Sequence, residues 1–479
     1  MPHTRGPNAA LRGCMAEAGW NGPALAAALQ KVARESGFSV GYDRTTVAHW
    51  LSGTQPRPPG PQLLEEAFAR RLGRPVSRGE LGLQPADPSL AEESEREPTD
   101  ALTGLRRLHS WPNSTEPQDE TFQPPLFQIR MLPSPRPPMK PGFATNPGSA
   151  VKPESVVKPG SAVKPGSGTR PGPGTQPGSA AESASRPPLV PTVRRSGPER
   201  VGARQVEAVR EMTAFGARHY DGYGGAIARG LLLGYLRDHV LPWAKSPSGG
   251  PRHRELLVAA AQLVRLVGRT YTDDNRHGEA QRHYQLAYQL AAEAQDGPAQ
   301  AMALRDQSTQ AGALGHQAYA ARLADAAAEH LPPDAAPGVR AFVLAQQAVA
   351  AARLRQSAQA LKHLEGAQHW AGRAAAEGGP HRYPEPALLY QAAQVHRSLR
   401  APELSLSYLR ASLRARPPGE HRTIGLSLLQ LAHLELDAGN IHQARRAYAS
   451  FRERQDALHS PATVLQLSRL EGRFARLGG

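Results

Sequence analysis

Three scarcities bound this sequence before any motif is read. Cysteine occurs once, at Cys14, so no disulfide framework within the chain and no cysteine-based metal site can form. A reducing compartment is the natural setting. Aromatic residues make up only 5% of the 479 residues, and the C-terminal half shows helical periodicity without strand-like alternation. Long apolar runs are missing too. The longest, LLVAAAQLV from Leu256 to Val264, falls well short of the roughly 20 residues that span a bilayer. The opening MPHTRGPNAALRG has no apolar core of a secretory signal. A soluble, cytoplasmic protein without a membrane partner is expected.

Lysine is scarce as well, seven against fifty arginines. The net charge of +15 favours polyanions in general terms, although the arginine excess is mainly the codon bias of a GC-rich genome. Catalytic constellations are not found. The Gly-rich YGGAIARG follows no strand, as a phosphate-cradling loop would require. The eighteen histidines are scattered, and HGEAQRH (His277 to His283) lacks the i, i+4 spacing of a zinc pair. It is read as a solvated helix start. No nucleophile is spaced with a base, so no enzyme, no catalytic residue, no metal and no cofactor are expected.

The stretch richest in chemistry is DRTTVAHWLSG, Asp43 to Gly53. Asp43 is a good helix N-cap and Gly53 a good stop. At 100° per residue Val47, Trp50 and Leu51 share one side of this short helix, and Thr45, Ala48, His49 and Ser52 the other. A helix of two turns must rest its apolar side on other helices. The remaining face offers a hydroxyl, a methyl and an imidazole, with Arg44 at the N-terminus. Those groups suit the major groove of double-stranded DNA, and the stiff TQPRPPGP turn holds Arg57 out toward a phosphate. The candidate DNA-binding residues are therefore Arg44, Thr45, Ala48, His49 and Arg57.

The flanks support a small helical domain. Asn8 can cap a first helix with Leu11, Met15 and Ala18 inward, and Pro23 opens a second with Leu25, Leu29 and Val32 on one stripe. PQLLEEAFARRLG repeats the amphipathic pattern, and Ser77 and Glu80 are spaced as a capping box opening a fifth helix. LA-x-x-L followed by T-x-V-x-x-WL-x-G resembles the repressor-type (Cro/CI-like) helix-turn-helix family over Ala10 to Leu83, with QKVARESGFSVGY lengthening the second helix or the turn. Residues 1–83 form the expected DNA-binding domain, with ten Lys/Arg against six Asp/Glu.

Residues 84–197 read as a disordered linker. An acidic patch, AEESEREPTD, comes first. Seven hexapeptides with proline at a fixed position fill 139–180, where no unit carries enough apolar surface to offset ordering. Between them Leu105, Leu108, Trp111, Phe122, Leu126, Phe127, Ile129 and Met131 form an apolar island. It could dock a partner or pack on a neighbouring part of the chain. A linker of about 114 residues has an r.m.s. span on the order of 55–65 Å, so the two folded parts are expected to communicate without rigid contact.

From residue 198 to 479 the chain is helical with a recurring unit. A small residue, a bulky or apolar one four positions on, and another small one three later appear as Ala280/Tyr284/Ala287, Ala320/Ala324/Ala327, Ala360/Leu364/Ala367, Ser405/Leu409/Ser412 and Ala444/Tyr448/Phe451. Each copy follows a loop and an amphipathic stretch, so the unit is a helix hairpin buried only against its neighbours. This resembles degenerate tetratricopeptide repeats. YDGYGGAIARG and HVLPWA punctuate two helices before the array. The fold class is all-α: a helix-turn-helix domain, a Pro/Gly-rich linker and a C-terminal α-solenoid. The arrangement looks like the cytosolic regulators of actinomycete-type bacteria that join a helix-turn-helix to a repeat domain. That resemblance implies transcriptional regulation, with the array binding an effector, a protein or peptide partner, or a second copy in a homodimer. The rival is a protein–protein scaffold whose helix-turn-helix no longer binds DNA.

Overall fold

Helix caps placed by the sequence start the N-terminal part of this computed structural model, which describes residues 6–36, 38–84, 103–104, 127–129, 201–245, 250–377, 383–458 and 460–477. Every regular element among the described residues is helical. Asn8 accepts the Leu11 N–H at 2.9 Å and opens α1, Ala9–Ala18. Asn21 does the same for α2, Gly22–Glu35, whose Pro23 lies in the first turn. Helix α3 spans Arg44–Leu51 and α4 Gly60–Leu72. Leu11, Met15, Ala18, Leu25, Leu29, Val32, Val47, Trp50, Leu63, Leu64 and Phe68 fill one core. The Ser77–Glu80 capping box does form, with the Ser77 N–H on Glu80 Oε2 at 2.8 Å. It closes a turn rather than a fifth helix, because Gly82 takes a left-handed φ of 63° almost at once.

The C-terminal part opens with α5, Ala203–Tyr223, and α6, Gly225–Tyr235. Gly225 is obligatory here, since a Cβ would sit 2.5 Å from the Thr270 carbonyl oxygen. HVLPWA does not interrupt the chain. A π-helical turn, Leu236–Val240, leads straight into α7, Leu241–Ala244, and so accommodates Pro242. Five hairpins follow: α8 Pro251–Asp273 with α9 His277–Glu293, α10 Gly297–Leu314 with α11 Gln317–Glu329, α12 Pro337–Arg353 with α13 Ser357–Glu377, α14 Glu385–Ser398 with α15 Pro402–Ala415, and α16 His421–Asp437 with α17 Ile441–Arg452. Helix α18, Pro461–Leu477, packs on α16.

The repeating triplets lie on the second helix of each hairpin, and all their small members are buried. Tyr448 is half-buried against Phe474, and Phe451 is 1% exposed. The loop inside each hairpin contains a left-handed residue, Asn275, Gly315, Arg355, Arg400 and Gly439. Those positions recur at 40, 40, 45 and 39 residues, the spacing of the triplets themselves. The array also returns on itself. Helix α16 packs on α5, and Arg422 reaches Asp273 Oδ1 at 2.6 and 2.8 Å beneath the Tyr220 ring. The hexapeptides at 139–180, the acidic patch and most of the apolar island lie outside the described residues.

Candidate nucleic-acid interface

Helix α3 is built to present one face. Asp43 Oδ1 accepts the Thr46 N–H at 2.7 Å and the Thr46 hydroxyl at 2.8 Å. The Thr46 N–H, then its hydroxyl, hold the Asp43 carboxyl below the usual carboxylate range. Val47 is fully buried, and Trp50 meets Tyr42 edge-on with ring centres 5.1 Å apart. Tyr42 belongs to the long connection from Ser36 to Asp43, and Gln30 Nε2 pins that connection by donating to the Tyr42 carbonyl at 2.6 Å. The extra length thus falls in the turn, held by Phe38, Val40 and Tyr42 against the core. At its other end α3 meets Gly60, where a Cβ would lie 3.8 Å from the Trp50 ring and 2.9 Å from Pro56.

Arg44, Thr45, Ala48 and His49 are all exposed, and so is Arg57 in the turn beyond. Within the described residues the side chains of Arg44, His49 and Arg57 make no hydrogen bond or ion pair. Gln55 braces the Arg57 turn by donating to the Gly82 carbonyl at 3.3 Å and accepting the Gln84 N–H at 3.0 Å. The face offers hydrogen-bond donors and a methyl, all exposed, with no internal partner to give up.

The opposite side of the domain behaves differently. By their contacts the N-terminal helices and the array belong to one compact unit. On α4, Glu66 is 4% exposed and accepts from Arg70 Nε at 2.7 Å and from His316 Nε2 of the array at 2.9 Å. Arg70 also pairs with Glu35, which in turn faces Arg469 of α18 at 3.6 Å. Carboxylates on both sides hold Arg70 charged against the opposing cost of burial. Separation of the two folded parts without rigid contact is therefore not what the chain does.

Segment 127–129 is pinned to the same junction. Phe127 stacks on His316 with ring centres 5.0 Å apart, and the Gln281 side chain clamps the Gln128 backbone at 3.0 and 2.6 Å. This part of the apolar island packs on its own chain. The cover also corrects the reading of HGEAQRH as a solvated start. His277, Glu279, Gln281 and His283 are all buried there. Burial first, and the Arg70 charge second, push His277 from its ordinary 6.5 down to about 3. Among the described residues no three His, Cys, Asp or Glu side chains group as a metal site, and no helix is long and apolar enough to cross a membrane.

A family model described as the SP15 N-terminal domain matches residues 11–84. No curated protein matches the chain. Among solved structures, that of BtubC (BKLC) from P. vanneervenii is similar over 53% of this chain and 91% of its own, at 12% identity and a TM-score of 0.32.

Proposed function

We propose that this protein is a DNA-binding regulator. In this reading α3 reads the major groove of double-stranded DNA through Arg44, Thr45, Ala48 and His49, Arg57 holds a phosphate, and the array binds the effector or partner. The observation that carries it is the contrast within one small domain. The α4 side is consumed by the array, while the α3 face stays exposed and unpaired. Docking through α4 also gives the array a route to the DNA-reading unit. A ligand that shifts the array near His316 acts directly on α4, which shares one core with α3.

One observation favours the scaffold reading. Arg70, Arg71, Arg74 and Arg78 all make internal hydrogen bonds. That leaves fewer of the domain's ten basic residues for phosphates. Mapping the DNA fragments that co-purify with the full chain separates the two. Enrichment of a common sequence, with affinity falling steeply as salt rises, supports the regulator. Absence of enrichment together with salt-independent or no binding to duplex DNA sinks it.

A further inference from the structure

Residues 127–129, which lie between α4 and α5 in the chain, are held by the array through their backbone. Gln281 of α9 is 3% exposed, and both of its polar atoms pair with Gln128. Its Oε1 accepts the Gln128 N–H at 3.0 Å, and its Nε2 donates to the Gln128 carbonyl at 2.6 Å. Two such bonds to one residue are what a neighbouring strand gives an extended chain. Exposure follows the same geometry. Phe127 is 3% exposed, Gln128 is exposed and Ile129 is half-buried, the alternation of an extended peptide with one face down.

The face that is down meets an apolar seat. Phe127 shares a core with Ala301 and Leu304 of α10 and with Tyr319 and Leu323 of α11, and Ile129 packs against that core. The Phe127 ring stacks on His316 at 5.0 Å and meets Tyr319 edge-on at 6.3 Å. The exposed Gln128 side chain makes no hydrogen bond among the described residues. A fixed internal contact could rest on the apolar packing alone, whereas a buried amide is costly unless a backbone stands opposite it. A backbone clamp beside two side-chain seats selects an extended peptide by its alternate residues. It suits any chain that presents an aromatic residue and, two positions on, an aliphatic one.

We infer that this seat across α9 and α11 is a peptide-recognition site for a partner protein, which docks an extended aromatic-x-aliphatic segment there in place of the chain's own residues 127–129. The chain's own segment is the resident competitor. The seat adjoins the contact of His316 with Glu66, so its occupant bears on how α4 is held. The inference rests on the reading of the array as the partner-binding part, and not on α3 touching DNA.

The test uses the full chain and a fluorescein-labelled peptide, PPLFQIRML, the sequence of residues 124–132, followed by anisotropy without DNA. Two variants vacate the seat. Phe127→Ala with Ile129→Ala removes the resident side chains, and Gln128→Pro removes only the N–H that Gln281 accepts, leaving the apolar core untouched. With helical circular dichroism unchanged, each should bind the peptide saturably and about tenfold tighter than the parent, whose own segment competes at high effective concentration. Methylating the peptide's Gln nitrogen should weaken binding about tenfold, as should Gln281→Ala in the vacated protein, since each removes a hydrogen bond to a buried partner. Replacing the peptide's Phe by Ala should abolish binding, and replacing its Gln by Lys should change affinity by less than about twofold. No binding in the vacated variants, or binding indifferent to the N-methyl group and to Gln281→Ala, overturns the inference. So does sedimentation in which the parent dimerises and the vacated variants do not, because a second copy would then be the occupant. DNA is absent from the assay, so its failure is separate from a failure of α3 to read the groove.

Discussion

Two faces of one small domain carry the same kinds of side chain and meet opposite fates. On α3, Arg44 and His49 point outward with no internal partner. On α4, Glu66 and Arg70 are buried in a network that runs through Glu35, His316 and Arg469. A buried charge must be paired because desolvation is expensive, so the α4 network is explained by architecture alone. Nothing in the fold requires the α3 side chains. The inward-facing Val47 and Trp50 would hold the helix whatever stood on its outer side. Function is to be sought where stability is indifferent, and structure where it is not. That contrast can be broken experimentally.

The largest effect is expected from acid. His277 lies under the junction with its ionisation pushed from 6.5 down to about 3. The folded chain therefore keeps it neutral where the unfolded chain takes up a proton. Stability is fully present above about 6.5 and is lost as pH falls toward 3, at up to ~1.4 kcal/mol per pH unit and roughly 5 kcal/mol in all. Urea unfolding at a series of pH values measures this directly. His277→Gln should flatten the slope between pH 6.5 and 4, and an unchanged slope would show that the junction does not exclude water as described.

Next comes Glu66→Ala, which leaves Arg70 and His316 facing each other without the carboxylate. Breaking a buried pair in this way costs about 3–5 kcal/mol. Denaturation of the variant should show either that loss or a separate, earlier transition for the N-terminal helices. Limited proteolysis should cut sooner near residues 127–129, since Phe127 stacks on the freed His316. A variant as stable as the parent would mean the α4 contacts are incidental.

The α3 side should give the mirror image. Arg44→Ala or His49→Ala should cost about 1–3 kcal/mol of discrimination between DNA sequences while moving folding stability by less than about 0.5 kcal/mol. Loss of stability at these positions would erase the distinction.

What the sequence disclosed follows the range of each interaction. Caps and periodicity act within a few residues, so Asp43, Asn8, the inward Val47 and Trp50, and the five small-residue triplets were legible from spacing. The helical fold class follows from those local signals. The junction was not legible, because Glu66 and His316 stand 250 positions apart and Gln128 and Gln281 stand 153 apart. HGEAQRH looked solvated for the same reason, since what buries it arrives from elsewhere in the chain. Ser77 and Glu80 were legible as a box but not as a stop, because the box sets a start and Gly82 decides the length. The five outward residues of the candidate interface were named from chemistry. The buried, unpaired donors of Gln430 and Arg416 carried no spacing signal at all, since one stands on α16 and the other just past the end of α15.

The smallest expected effect is the one that best separates reading from holding. Arg57 sits beyond the C-terminal end of α3 in a turn braced by Gln55, exposed and without an internal partner. A residue so placed is off the helix that would enter the groove, so in the proposed complex it meets the sugar–phosphate backbone rather than a base edge. Arg57→Ala should therefore weaken all duplex sequences by about the same few-fold factor. The slope of log affinity against log salt should fall by about 1, as one phosphate contact is lost. Arg44→Ala should instead change the ranking of sequences. Competition binding of both variants over a panel of duplexes at several salt concentrations resolves the two behaviours. If Arg57→Ala reordered the panel while Arg44→Ala scaled it uniformly, the groove-reading role would move from α3 to the turn after it.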